Sequence, residues 1–392
     1  MAIFSSLSSF FNKHKRKIFI TSTVGVSVYY LVNYFIIRKF RNFQNSLTQD
    51  LFIKEQIKRR FIQTQNDCYY TLLSLLPVLI DPIISNSPIE LITKALKLKK
   101  SNQNNKEISD SMLTTDNLIL HSTNDNELNL YLNKSKSELW KLLKVKTLTR
   151  FLTLNYCISS LLLLTRLQLN ILARKSYLQS AIQMTNNSTS QHELTEEEYF
   201  IEQSYLSLSW WLLNKGWESI NLKIEAIVDE KFKLLNARNE LTIDEFKYLL
   251  SDCINEINDD KLLLINAIFP NNDNLNLTLL NIQPNLINNF NQSFVKLINE
   301  TTLILNNDYF LENLNVLVLT NIDTLVTNLF NNLNDSNTKL ANLLAQLSVQ
   351  CELLSNNNFE NFEELSGNQY INELNNLDSL DDFSASIYSN IE

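Results

Sequence analysis

Three glycines in 392 residues (Gly25, Gly216 and Gly367) set the first limit on what this chain can fold into. Ordinary usage would supply roughly 27. Phosphate-cradling loops and dinucleotide fingerprints need two or three glycines within a few residues, because the backbone must approach the phosphate closely. Such sites are excluded. A turn-dense all-β fold is also disfavoured, since its hairpins draw on glycine for positive φ. Five prolines add little punctuation, and none falls between Ile89 and Phe269. With 44% hydrophobic residues and so few breakers, the chain should bury a core built mainly from helices. The 55 asparagines are read as compositional bias, so the sequons at Asn133, Asn276 and Asn299 carry little weight.

The net charge of −8 conceals an asymmetry. Residues 1–60 carry eleven Lys and Arg against two Asp and Glu, a net of +9. The other 332 residues therefore carry 23 against 40, a net of −17. So acidic a body repels polyphosphates and argues against a nucleic-acid partner, while the basic end suits an address or a membrane contact. Four widely spaced cysteines (Cys68, Cys157, Cys253, Cys351) form no CxxC pair, and His14, His121 and His192 are scattered. The plain reading is four buried free thiols in a reducing compartment. No catalytic set, cofactor site or metal-ligand cluster follows from spacing.

Ile18 to Ile37 is twenty residues without a charge. At 1.5 Å per residue it makes about 30 Å of helix, the thickness of a bilayer core. Its apolar side chains are Ile18, Phe19, Ile20, Val24, Val26, Val28, Tyr29, Tyr30, Leu31, Val32, Tyr34, Phe35, Ile36 and Ile37. Lys13, Lys15, Arg16 and Lys17 precede it, within a basic segment 1–17, and Arg38, Lys39 and Arg41 follow. A cleaved signal peptide would show a shorter apolar region and a small-x-small site, so a retained single-pass anchor in membrane lipid is expected. The flanking charges nearly balance, so orientation rests on the thiols, which favour a body facing the cytosol. The uncharged stretch Phe151–Thr165 is too short to span and reads as a core helix.

Residues 42–355 read as one all-α bundle of long helices. A helical stripe from Asn42 to Leu79 should end near Pro77, with Pro82 and Pro88 marking the exit. Residues 100–135 read as a polar loop. Glu138–Gln183 is the strongest helix, with Ser137 as a plausible N-cap, and Thr195–Glu198 resembles a capping box for a helix running past Trp217. Further stripes cover 219–237, 242–268, 286–305, 309–333 and 337–354, with a break at Pro270–Pro284. Residues 356–392 are acidic and lack Lys and Arg, and read as a loosely held tail.

Two aromatic constellations stand out. Trp210 and Trp217 lie seven apart, share a helix face and read as core, with Trp211 pointing elsewhere. Gly216 between them suggests a close helix approach or a helix end. Lys134–Arg150 interleaves six basic residues with Leu139, Trp140, Leu142, Leu143 and Val145. That pattern fits a solvated face, a membrane surface or an acidic partner helix, and leaves Trp140 as core or exposed anchor.

Several stretches, in this order, resemble one family. They are Arg59–Cys68 (RRFIQTQNDC) with the following YYTLLSLLP to Pro77, Glu138–Lys144 (ELWKLLK), Leu148–Arg150 (LTR), Arg166–Asn170 (RLQLN) and Ser209–Trp217 (SWWLLNKGW). Together with the N-terminal anchor they resemble the peroxisomal biogenesis factor 3 family, over residues 1 to about 220. The resemblance implies a cytosolic helical bundle anchored in the peroxisomal membrane. It also implies a receptor role: docking the acidic, cargo-carrying chaperone peroxisomal biogenesis factor 19 through that protein's N-terminal amphipathic helix. The family's docking tryptophan falls on Trp140, which should then be exposed, with Leu143 and Lys144 as neighbours and Lys144 acting as a rim charge. Inheritance or autophagy factors are further partners the resemblance suggests. The alternative is a membrane-anchored tether or scaffold with no import role.

Overall fold

A computed structural model describes residues 54–104, 125–185, 196–282, 292–333, 337–356 and 368–389. The basic segment and the anchor 18–37 lie outside them. The chain divides into two compact units, Met1–Ile62 and Gln63–Glu392. The described residues are all-α apart from one pair of two-residue strands.

The longest helix explains the architecture. Helix α4 (Lys136–Thr185) runs for 50 residues. Every residue from Thr147 to Gln168 is buried. A helix that is apolar on all sides must be covered on all sides. Its cover comes from α2 (Ile89–Asn104), α6 (Trp217–Lys231), α11 (Asp308–Asn332), α12 (Leu340–Leu354) and α14 (Asp378–Ser389). The apolar part of α4 is long enough to cross a bilayer, so the expectation that it is too short to span does not hold, but 89% of it is buried and it is the core helix expected. Several polar groups inside are paired, since an orphaned one costs about 1–3 kcal/mol, although the hydroxyls of Thr147, Thr149 and Ser160 have no partner among the described residues. Asn155 donates to the Val318 carbonyl at 3.0 Å and accepts from Asn321 at 2.7 Å. The Tyr156 hydroxyl donates to Asn258 at 2.9 Å.

Several boundaries differ from the sequence expectations. Helix α1 (54–86) continues through Pro77 and Pro82 instead of ending there, because Leu76, Leu79, Ile80 and Ile83 keep its core face buried; the break comes at Ser87–Pro88. Ser135, not Ser137, caps α4. Within the expected 100–135 loop, α3 (Asp125–Leu132) forms because Leu128, Tyr131 and Leu132 pack on a small apolar cluster. The expected break at Pro270–Pro284 holds α9 (Asn272–Ile282), whose start is fixed by Asn271 accepting from Asn274 N at 3.0 Å. The 242–268 stripe splits into α7 (Ile243–Asn258) and α8 (Lys261–Ile268), where the Asp260 side chain caps the second helix.

Residues 368–389 of the acidic tail are not loosely held. They form α13 (Gln369–Asn375) and α14, which bury Tyr370, Ile371, Leu374, Leu380, Phe383 and Ile387. Apolar spacing outweighs acidity because carboxylates stay at the surface or meet an arginine. Buried Arg166 reaches Asp381 at 3.2 Å and Asn375 at 2.8 Å, and Arg174 donates to the Ile387 carbonyl at 3.0 Å.

The tryptophan stretch also departs from one continuous helix. Helix α5 (Glu196–Leu206) leads through a 3₁₀ turn at Ser207–Ser209 and a π turn at Leu212–Gly216 into α6. The wider π turn breaks the heptad register, so Trp217 is buried while Trp210 is only half-buried. Trp211 donates its indole N–H to the Asn266 carbonyl at 2.8 Å. Gly216 is a close approach: a Cβ there would lie 1.8 Å from the Ala267 carbonyl oxygen of α8. All four cysteines are free and buried, and burial pushes the thiols of Cys68, Cys253 and Cys351 up to about 12.

Candidate docking groove

The start of α4 is set by a reciprocal cap. Glu138 N donates to Ser135 Oγ at 3.2 Å, and Ser135 N donates to the Glu138 carboxylate at 2.7 Å. Two helix-end donors are thereby satisfied, and the hydrogen bonds hold the Glu138 carboxyl below the usual carboxylate range. The next turn carries Trp140, Leu143 and Lys144.

The three residues do different things. Trp140 is half-buried, not fully exposed as the resemblance implies: it packs against the cluster of Ile89, Ile92, Leu96 and Leu139 while lining a cavity of about 490 Å³. Leu143 is buried inside that cluster and does not line the cavity. Lys144 is not a rim charge. It is buried, and its Nζ donates to the Phe232 carbonyl and, at 2.7 Å, to the Leu235 carbonyl. Desolvation holds its pKa below the ordinary lysine range.

Those carbonyls belong to the loop between α6 and α7, which forms the opposite wall. The loop supplies Lys233, Leu235 and Arg238, and α12 adds the buried Leu340 and Leu344. The loop is tied at every side. Asn239 N donates to the Asn236 carbonyl at 3.0 Å, and Asn236 N to Asn239 Oδ1 at 2.9 Å. Strand β1 (Glu240–Leu241) pairs antiparallel with β2 (Thr338–Lys339). The first N–H groups of α12 use loop carbonyls as their caps: Leu340 N donates to Asn239 at 2.8 Å and Ala341 N to Ala237 at 3.1 Å. Thr242 and Glu245 then form a capping box on α7.

The groove is cationic. Lys136, Lys141, Lys144, Lys233 and Arg238 line it, and no carboxylate among the described residues does. Lys141 pairs with Asp229 at 3.2 Å, and Lys144 is committed to its carbonyls. Lys136, Lys233 and Arg238 are exposed and make no ion pair among the described residues. The sequence marked Trp140, Leu143 and Lys144 by a local pattern that left Trp140 as core or exposed anchor, and by the family resemblance that implied docking there. It held no signal for Lys233, Leu235, Arg238, Leu340 or Leu344, which reach the groove through a pairing between strands almost a hundred residues apart.

Fold and groove together define an all-α bundle protein with an apolar-lined, cationic cleft against one long buried helix. The sequence profile of the Peroxin-3 family matches residues 9–390. The chain is 55% identical to Peroxisomal biogenesis factor 3 of Debaryomyces hansenii over the full length of both. It is 35% identical to Peroxisomal membrane protein PEX3 of Komagataella phaffii, over 97% of this chain and 98% of that one. It is 29% identical to Peroxisomal biogenesis factor 3 of Saccharomyces cerevisiae, over 97% and 96% respectively. The chain belongs to the Peroxin-3 family of peroxisome biogenesis factors.

Proposed function

We propose that this chain is a peroxisomal membrane receptor that docks peroxisomal biogenesis factor 19 for insertion of peroxisomal membrane proteins. Residues 18–37 would anchor it, with the helical body in the cytosol. Family membership and the relatives' names support the membrane and the biogenesis role. The observation that carries docking is the groove itself: a half-buried tryptophan and apolar lining, flanked by cations, on a body whose net charge beyond residue 60 is −17. An acidic amphipathic helix is complementary to it in both respects. Its apolar stripe would supply most of the affinity by covering Trp140, and its carboxylates would steer the encounter.

The test is Trp140→Ala in the full-length protein held in detergent, titrated with the chaperone's N-terminal helix. The expected loss is about 2 kcal/mol, roughly thirtyfold in affinity, as for a central aromatic anchor. Parental affinity in a folded variant refutes the docking assignment.

A further inference from the structure

We infer that the α6–α7 loop is the specificity wall of this groove, with Lys233 and Arg238 reading carboxylates on the flank of the bound helix that faces away from α4. The inference rests on the docking reading above and adds which charges select the partner.

Position is the first argument. The cavity lies between α4, carrying Trp140 and Lys136, and the loop, carrying Lys233 and Arg238, with Leu235, Leu340 and Leu344 as apolar lining. A helix that lays its apolar stripe on this lining presents one flank to each wall. Side chains three and four apart share a flank, so each wall meets its own row of residues.

Rigidity is the second. The loop is held by the buried Lys144 ammonium, by the β1–β2 pairing and by the N–H groups of α12. The backbone that carries Lys233 and Arg238 therefore holds its place before a partner arrives, and the ordering cost on this wall falls on the side chains alone.

Charge is the third. Lys141 already has Asp229, and Lys144 has its two carbonyls. The exposed groove cations without an ion-pair partner among the described residues are Lys136 on one wall and Lys233 and Arg238 on the other. The matching ligand is an amphipathic helix with Asp or Glu along both edges of its apolar stripe. A helix with Lys or Arg along the loop-facing edge meets like charges and is rejected.

The experiment uses full-length protein in detergent and three peptides. One is the chaperone's acidic N-terminal helix. The others carry lysine in place of the carboxylates of one flank or the other. Lys233→Glu with Arg238→Glu should weaken the acidic peptide roughly tenfold at low salt, mainly through the association rate, and the difference should fade at high salt. One flank-swapped peptide, and only one, should bind this double variant better than it binds the parent. Lys136→Glu should favour the other swapped peptide. If the double variant keeps parental affinity and salt dependence while Trp140→Ala weakens binding, the loop is no specificity wall although docking stands. If both swapped peptides respond alike, the loop acts only as a diffuse field and the inference is overturned. If Trp140→Ala has no effect either, the docking reading itself fails.

Discussion

Lys144→Met separates two roles for one lysine. The substitution keeps an apolar stem of similar length and removes the ammonium that joins α4 to the Phe232 and Leu235 carbonyls. Hydrogen bonds to a charged donor contribute about 1.5–3 kcal/mol each, and a buried carbonyl left without a donor costs about 1–3 kcal/mol. Methionine recovers part of this, because burying an ammonium itself costs several kcal/mol. The net expectation is a loss of about 2 kcal/mol. Lys144→Glu should cost about 4 kcal/mol, since it sets a carboxylate against two carbonyl oxygens in a buried site. The pH dependence has a definite sign. Burial lowers the folded pKa of Lys144, so the unfolded chain holds more protons between the folded value and the ordinary lysine value. Stability of the parent relative to Lys144→Met should rise as pH climbs through that interval. The assay is denaturant unfolding of the full-length protein followed by circular dichroism, with peptide titration at two salt concentrations. If Lys144→Met unfolds at the parental midpoint and Lys144→Glu changes only a salt-sensitive association rate, Lys144 is a rim charge and the loop-clamping argument is wrong.

Gly216→Ala should lower stability by about 3 kcal/mol or more, because the added Cβ meets backbone that cannot swing aside; a parental melting curve would show that α6 and α8 are not in close approach. The four buried thiols should be silent to a thiol reagent at pH 8 in the folded protein and all react after denaturation, since burial raises every one of their pKa values. Fast native-state labelling of any of them contradicts the packing described.

The helical class was legible because glycine scarcity removes the alternatives before any pattern is sought, and α4 was legible because its apolar residues recur over many turns. Gly216 could be read as a close approach because a lone glycine in a helical run needs a reason. The tail misled because charge dominates its composition. Tyr370, Ile371, Leu374, Leu380, Phe383 and Ile387 hold helical spacing beneath the aspartates, and the arginines that donate to this segment, Arg166 to Asp381 and Arg174 to the Ile387 carbonyl, lie some two hundred residues earlier. Trp210 and Trp217 misled for a local reason: counting by sevens assumes an unbroken α-helix, and a single π turn shifts the register.

The groove shows why half of a site can be read and half cannot. The helix behind its α4 wall was legible by periodicity, while its docking role came from the family resemblance. Once Ser135 and Glu138 fix the helix start, Trp140 and Lys144 fall one turn apart on one face, and the buried run from Thr147 onward holds that face still. Its loop wall depends on long-range bonds: a lysine reaching across to two carbonyls 88 and 91 residues away, and a strand pair joining 240–241 to 338–339. Those bonds also decide what Lys144 is for. A surface lysine near a tryptophan suggests attraction of a partner, but a buried ammonium donating to two carbonyls keeps its charge while having little donor capacity or access left for a partner's carboxylate. Its effect on binding passes through the loop it holds, and the exposed cations on that loop are the ones free to meet a partner's carboxylates.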